Sequence, residues 1–167
     1  MNHRLLLISF ILISTLNFSC TTTRNGIAHV NYVTVTRIVD GDTFWADDGS
    51  LRGIKIRLIG VDAPETRNSG SKEIGYFGEQ SKEYLIKLLT GKKVRLEYDL
   101  GKKDQYSRTL AYVYLPDGTF VNAELVKMGY AVVMTVPPNV QYADRFIKLE
   151  QEARSNNRGL WNWEKDE

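Results

Sequence analysis

Acidic side chains and arginines are grouped in three short stretches of this chain. The stretches read Asp40-Gly41-Asp42-Thr43, Arg57-Leu-Ile-Gly-Val-Asp62-Ala63-Pro-Glu65-Thr and Tyr106-Ser-Arg108. Divalent cations such as calcium bind oxygen ligands from several chain segments, and guanidinium groups pair with phosphate oxygens. The combination therefore predicts a divalent-metal site facing an anion, which is the chemistry of phosphodiester cleavage.

The second stretch changes from an apolar run to a polar one at Pro64. Because proline cannot continue a strand ladder, we expect Asp62 and Glu65 on a turn at a strand end, where binding and catalytic groups tend to lie. Arg57 and Asp62 differ in strand parity, so they share a face only if the chain turns between them. Gly60 is the residue that makes such a turn inexpensive.

Each of these groups also has an ordinary structural interpretation. Asp40-Gly41 is a common hairpin turn, and a single arginine such as Arg57 or Arg108 is usually a solvated charge. An EF-hand is excluded because its calcium loop with a terminal glutamate is absent. Both histidines, His3 and His29, precede the predicted domain. A hydrolase built on this chain would therefore need a carboxylate as its general base.

Length and composition are those of one ordinary globular domain. The chain has 167 residues, of which 43% are hydrophobic and 25% charged, and its net charge is +2. No strong overall field attracts nucleic acid, so phosphate recognition must depend on local arginines. The single cysteine, Cys20, excludes an intrachain disulfide.

The amino-terminal segment has the pattern of an export signal. A positive start is followed by an apolar run, Leu5 to Leu16, that is too short to span a bilayer comfortably. Ser19-Cys20 resembles a bacterial lipoprotein processing site, which predicts a signal peptide at 1–19 and a lipidated Cys20 opening a tether at 20–31. We expect an exported protein anchored to the outer membrane or cell surface. Plain secretion with an incidental cysteine is the alternative.

The remaining chain, 32–163 with a tail at 164–167, predicts a single α+β domain. Five strands are indicated by alternating or β-branched runs that start near Val33, Thr43, Ile54, Val94 and Thr109. Helices are indicated after Gly78, at Val121–Lys127 and at Ala143–Ser155. Five short strands with about three helices favour a Greek-key barrel of the oligonucleotide/oligosaccharide-binding (OB) type, capped by the helices.

The three stretches resemble the motifs of the staphylococcal nuclease (thermonuclease) family. The resemblance extends from about Val33 to Trp161 and rests on Val39-Asp-Gly-Asp-Thr43, Arg57 to Thr66, and Tyr106-Ser-Arg-Thr-Leu-Ala-Tyr112. It implies a monomeric calcium-dependent nuclease on an OB-fold barrel. Such an enzyme cleaves DNA and RNA and leaves 3′-phosphate ends.

The resemblance also implies roles for individual residues. Asp42, Asp62 and the backbone carbonyl of Ala63 match the calcium ligands, Glu65 matches the general base, and Arg57 and Arg108 match the pair that binds the phosphate. Tyr106 is a candidate for substrate binding by stacking. The chain differs from the family pattern at Ala63, where the family has threonine, at Gln105, where it has lysine, and at Met134 to Pro138, where tyrosines are missing.

Two other classes of protein remain open at this stage. One is a catalytically inactive OB-fold module that binds nucleic acid or a protein partner without cleavage. The other is a calcium-binding surface lipoprotein without a nucleic-acid role. Paired arginines argue against the second class, because they repel a cation unless an anion lies between them.

Overall fold

The computed structural model describes residues 32–66 and 75–162. The predicted signal peptide, Cys20, the tether and the tail lie outside the described residues. In the described ranges, no helix is long and apolar enough to cross a membrane.

The described part contains seven strands and three α-helices. The strands are β1 (Tyr32–Asp40), β2 (Thr43–Asp47), β3 (Ile54–Leu58), β4 (Gly60–Asp62), β5 (Lys93–Glu97), β6 (Thr109–Tyr114) and β7 (Val132–Met134). The helices are α1 (Gly78–Leu89), α2 (Val121–Lys127) and α3 (Ala143–Ser155), and a 3₁₀ turn follows at Gly159–Trp161.

Five of the strands close a barrel in the order β1-β2-β3-β6-β5, with β5 returning to β1. The pair β3–β6 is parallel and the other pairs are antiparallel. The predicted five-stranded OB-type barrel with three helices is therefore confirmed. The small antiparallel sheet of β4 and β7 was not predicted, because three-residue strands are too short to show an alternating pattern.

The barrel interior and the inner faces of the helices share one apolar core. Phe44, Ile56 and Val113 are fully buried inside the barrel, while Leu85 of α1 and Leu125 of α2 pack against it. Removing an aliphatic or aromatic side chain of this kind from a core costs about 2 to 5 kcal/mol. The core therefore holds the strand ends that carry the candidate site in fixed positions.

Asn122 of α2 is a buried polar residue that connects the core to the turn between β3 and β4. Its amide group is completely buried, and its Nδ2 donates to the Ile59 carbonyl at 2.9 Å. Its Oδ1 accepts from the Val113 N–H at 2.9 Å. Both bonds satisfy backbone groups that the strands leave open, so α2 fixes the chain where β3 passes into β4.

Candidate active site

Asp42 lies in the tight turn between β1 and β2, under the loop that follows β4. Its Oδ2 accepts from the Ala63 N–H at 2.9 Å and its Oδ1 from the Thr43 hydroxyl at 2.8 Å. Gly41 allows this approach, because a Cβ there would lie 2.6 Å from the Ala63 Cβ and 2.9 Å from the Ser81 Cβ. The turn therefore places Asp42 directly beside the Ala63 backbone.

Arg57 joins the two aspartates. Its Nη2 lies 3.1 Å from Asp42 Oδ2 and 2.7 Å from Asp62 Oδ1. Its Nη1 donates to the carbonyl oxygens of Leu58 at 2.9 Å and Val61 at 2.7 Å. One nitrogen atom thus contacts both carboxylates, so the two contacted oxygen atoms lie within about 6 Å of each other.

The turn expected at Gly60 is present. Gly60 adopts φ +79°, a conformation that side-chain-bearing residues rarely adopt, and a Cβ there would collide with the Phe146 ring. The change of direction brings Asp62 back onto the face that carries Arg57, although the two differ in strand parity. The predicted way of bringing these two residues together is confirmed.

Asp42 is an incompletely compensated buried charge. Burial raises the pKa of the Asp42 carboxyl to about 6, because desolvation outweighs the attraction of the Arg57 guanidinium, and the neighbouring Asp40 raises it further. A second positive charge nearby would stabilise the ionised form of such a carboxylate. The electrostatics therefore favour a cation beside Asp42.

Glu65 follows Pro64 in the loop after β4 and lines the same cleft as the two aspartates. Its backbone carbonyl accepts from the Gly75 N–H at 2.9 Å. Gly78, the first residue of α1, packs so closely on the Glu65 carbonyl that a Cβ there would collide with it. The start of α1 therefore positions the Glu65 backbone at the edge of the cleft.

Arg108 is held by a turn on the other side of the cleft. Asp104 accepts from the Arg108 N–H at 2.9 Å, from Arg108 Nε at 2.6 Å and from the Tyr106 N–H at 2.9 Å. Burial alone would raise the pKa of Asp104, but the bonds from Arg108 and Tyr106 lower it. The ion pair uses the Nε side of the guanidinium, and Arg108 lines the cleft.

Tyr106 extends from the same turn into solvent. Its side chain is 70% exposed, and its ring centre lies 5.3 Å from the Arg108 Cζ. An exposed ring beside a cation that faces the cleft is suited to stacking on a base. The role of Tyr106 in substrate binding stays a prediction.

The cleft has a volume of about 1000 Å³, and its second wall is apolar. Met134, Val136, Pro137 and Pro138 form this wall, with Met134 43% and Val136 56% exposed. It lies where the family pattern has tyrosines. The cleft therefore combines charged residues with an aliphatic side.

Three charged residues of this cleft were not predicted from the sequence: Lys55, Lys103 and Asp104. Asp104 positions Arg108, and the four-residue spacing of an aspartate and an arginine around a turn was the signal that could have revealed it. Lys55 also lines the cleft, two residues before Arg57 on β3. Strand parity was sufficient to place Lys55 and Arg57 on one face.

The residues of the cleft fit a calcium ion. Asp42 and Asp62 supply hard oxygen donors, and the Ala63 N–H donates to Asp42, so the Ala63 backbone lies beside the same carboxylate. Between residues 32–66 and 75–162, no three acidic, histidine or cysteine side chains cluster as a metal site. Two carboxylates and a carbonyl, completed by water, form the smaller set that the sequence predicts.

Fold and site together define a class: an OB-type barrel with an oxygen-rich, arginine-flanked cleft at its rim. The family model described as "Staphylococcal nuclease homologue" matches residues 55–163. The chain belongs to this family, as the three motifs had indicated.

Individual relatives agree with this assignment. The chain is 37% identical over 140 residues to a thermonuclease of Staphylococcus hyicus, covering 82% of this chain and 80% of that one. It is 41% identical over 128 residues to a thermonuclease of Staphylococcus intermedius, covering 76% and 74%. Endonuclease YncB of Bacillus subtilis is 38% identical over 132 residues, covering 78% and 61%.

Proposed function

We propose that this protein is a calcium-dependent nuclease that hydrolyses phosphodiester bonds in DNA and RNA. The observation that carries the proposal is the single Arg57 nitrogen bound to both Asp42 and Asp62, in a cleft that Glu65 and Arg108 also line. Relatives named thermonuclease and endonuclease support a nuclease activity.

Asp42, Asp62 and the Ala63 carbonyl are the residues that would hold the ion. Replacing the family's threonine with Ala63 leaves this set intact, because the backbone carbonyl is the donor. When bound, calcium supplies Lewis-acid stabilisation of charge on a phosphate oxygen. Arg57 keeps the two carboxylates together and offsets part of their mutual repulsion.

Glu65 acts as the general base in this proposal. It accepts a proton from the attacking water as the water oxygen bonds to phosphorus and the bond to the 5′-oxygen breaks. The 5′-oxygen leaves with a proton from solvent, and the other fragment keeps a 3′-phosphate. Arg108, held through Nε by Asp104, presents its terminal nitrogen atoms to the phosphate oxygens that gain charge.

Incubating the purified chain with single-stranded DNA and with RNA tests this activity. We expect cleavage in calcium and none with excess chelator, and 3′-phosphate ends that require a phosphatase before polymerase extension. Glu65→Gln should lose about 100-fold or more in turnover. Binding without cleavage under every metal condition would instead identify an inactive nucleic-acid-binding barrel.

We further propose that the protein is exported and anchored through a lipid on Cys20. The support is the lone cysteine at the end of a short apolar leader, followed by polar residues. Several acyl chains on one residue give stable anchoring. Mass spectrometry of the mature amino terminus tests this, and an unmodified Cys20 would refute it.

A further inference from the structure

Three side chains form a row across the outer surface of the barrel, and one end of the row lies at the candidate active site. Arg37 of β1 is the direct partner of Trp45 of β2, and Trp45 is the direct partner of Lys55 of β3. Directly paired residues on antiparallel strands project to the same face. We call this set the Arg37–Trp45–Lys55 row.

The row faces outward, and the core does not account for its tryptophan. Phe44 and Ile56, the neighbours of Trp45 and Lys55 along their strands, are completely buried and fill the barrel. Arg37 is exposed, whereas Trp45 and Lys55 are half-buried. In the part of the chain that the structure describes, no other aromatic ring stacks on Trp45. A half-buried tryptophan between two cationic residues thus lies on the outer face of the barrel.

The row is continuous with the candidate active site. Lys55 lines the cleft and precedes Arg57 by two residues on β3. That spacing corresponds to about 7 Å along a strand, and two strand intervals from Lys55 to Arg37 add about 10 Å across the sheet. A strand of nucleic acid leaving the cleft at Lys55 would therefore meet Trp45 and then Arg37.

We propose that the Arg37–Trp45–Lys55 row is an accessory binding site for single-stranded nucleic acid, with Trp45 stacking on a base outside the cleft. The choice of ligand rests on the proposed nuclease function. Stacking on an aromatic ring together with cations that follow the backbone is how proteins bind single strands without reading sequence. In a duplex the bases are stacked and paired, so their faces are not available to the Trp45 ring.

The acidic end of β2 limits the direction of this path. Asp47 lies two residues after Trp45 on β2, and its carboxylate accepts from the Gly49 N–H at 2.8 Å in the following turn. Its negative charge disfavours phosphates along β2. The favoured path therefore crosses the strands from Lys55 to Arg37.

Affinity for oligonucleotides of two lengths tests the row. The full chain carrying Glu65→Gln, whose expected loss of turnover limits cleavage during the measurement, is titrated in calcium with labelled oligothymidylates of about 4 and about 16 nucleotides. Adding Trp45→Leu should weaken binding of the long oligonucleotide by about 5-fold or more and the short one much less, whereas Trp45→Tyr should retain the long-chain affinity. Arg52→Gln, an exposed cation in the turn after β2, is the matched control off the row.

Arg37→Gln provides a second test through a surface residue whose replacement does not threaten the fold. It should reduce the slope of log affinity against log salt by about 0.7 for the long oligonucleotide alone. If Trp45→Leu leaves affinity for the long oligonucleotide unchanged, or weakens binding equally at both lengths, the row is not an accessory binding site. Failure of the unsubstituted chain to cleave either oligonucleotide would overturn the nuclease proposal, while a length-dependent loss in Trp45→Leu would still support the row.

Discussion

Replacing Asp42 with asparagine should stabilise the calcium-free protein while abolishing its activity. The carboxyl is buried, and burial raises its pKa from 3.8 to about 6 against the opposing attraction of Arg57. A group whose pKa is raised on folding contributes stability at low pH that is lost as the pH rises through the folded value. At neutral pH the ionised carboxylate is therefore a cost to the folded state, and asparagine removes it.

The size of the gain follows from the two pKa values. At a pH above both pKa values, the difference between 3.8 and about 6 means that the ionised Asp42 carboxylate destabilises the folded state by about 3 kcal/mol. At a pH of about 4.5 the same two pKa values give a destabilisation of only about 1 kcal/mol, so the gain from asparagine should be smaller there. Asparagine can keep an oxygen towards the Ala63 N–H and Arg57, and the Thr43 hydroxyl can reverse to accept from the new amide.

Urea unfolding in excess chelator measures this effect at both pH values. Asp47→Asn, the same change at an exposed position, is the matched control and should shift the free energy of unfolding by less than about 0.5 kcal/mol. Calcium at about 100 times its dissociation constant should raise wild-type stability by about 2.7 kcal/mol, with a much smaller effect on Asp42→Asn. An Asp42→Asn chain no more stable than wild type at neutral pH, or a gain independent of pH, would refute the reasoning.

Three other substitutions test separate parts of the site. Asp104→Asn should lower turnover by about 10-fold because it releases Arg108, and initial rates measure this loss. It should also destabilise the folded protein more at pH 7 than at pH 3, because the lowered pKa of the Asp104 carboxyl stabilises the fold only above the pKa that this carboxyl has in the unfolded chain. Unfolding at the two pH values measures this difference. Arg108→Lys should cost about 100-fold in turnover, since a point charge cannot replace a planar fork, and full activity would contradict the proposed phosphate contact. Gly41→Ala forces its Cβ onto the Ala63 Cβ, so calcium affinity by calorimetry should fall together with thermal stability.

The barrel could be predicted from sequence because its strands and helices show their own periodicity. Val121–Lys127 and Ala143–Ser155 are helices with the predicted bounds, and β3 begins at the predicted residue, Ile54. The β4–β7 sheet could not be predicted, since a strand such as Gly60–Asp62 is too short for an alternating pattern. Its existence depends on tertiary pairing with Val132–Met134, which are distant in sequence.

The composition of the site was easier to predict than its geometry. The motifs identified Asp42, Asp62 and Arg57, but only the fold shows that one nitrogen of Arg57 contacts both acids. The same bonds occupy Nη1 and Nη2, so Arg57 first serves as a counter-charge that holds the aspartates together. Asp104 was not predicted as a site residue because an aspartate in a turn usually only bonds to the backbone of that turn.

The charges around the cleft connect metal binding with substrate binding. Among the described residues, five acidic and four basic side chains line it: Asp40, Asp42, Asp62, Glu65 and Asp104 against Lys55, Arg57, Lys103 and Arg108. A polyanion entering without a cation therefore meets a small excess of negative charge, and the net charge of +2 on the whole chain offers little compensation. One divalent ion reverses the local sign.

The same balance predicts how Glu65→Gln behaves without metal. Removing one carboxylate makes the numbers of acidic and basic side chains equal, so in chelator this variant should bind an oligonucleotide more tightly than wild type although its turnover is lost. Fluorescence anisotropy at low salt measures the difference, and calcium should raise the affinity of both proteins. Equal affinities in chelator would show that the Glu65 charge does not reach the bound phosphates, and Glu65 would then be too far from them to serve as the base.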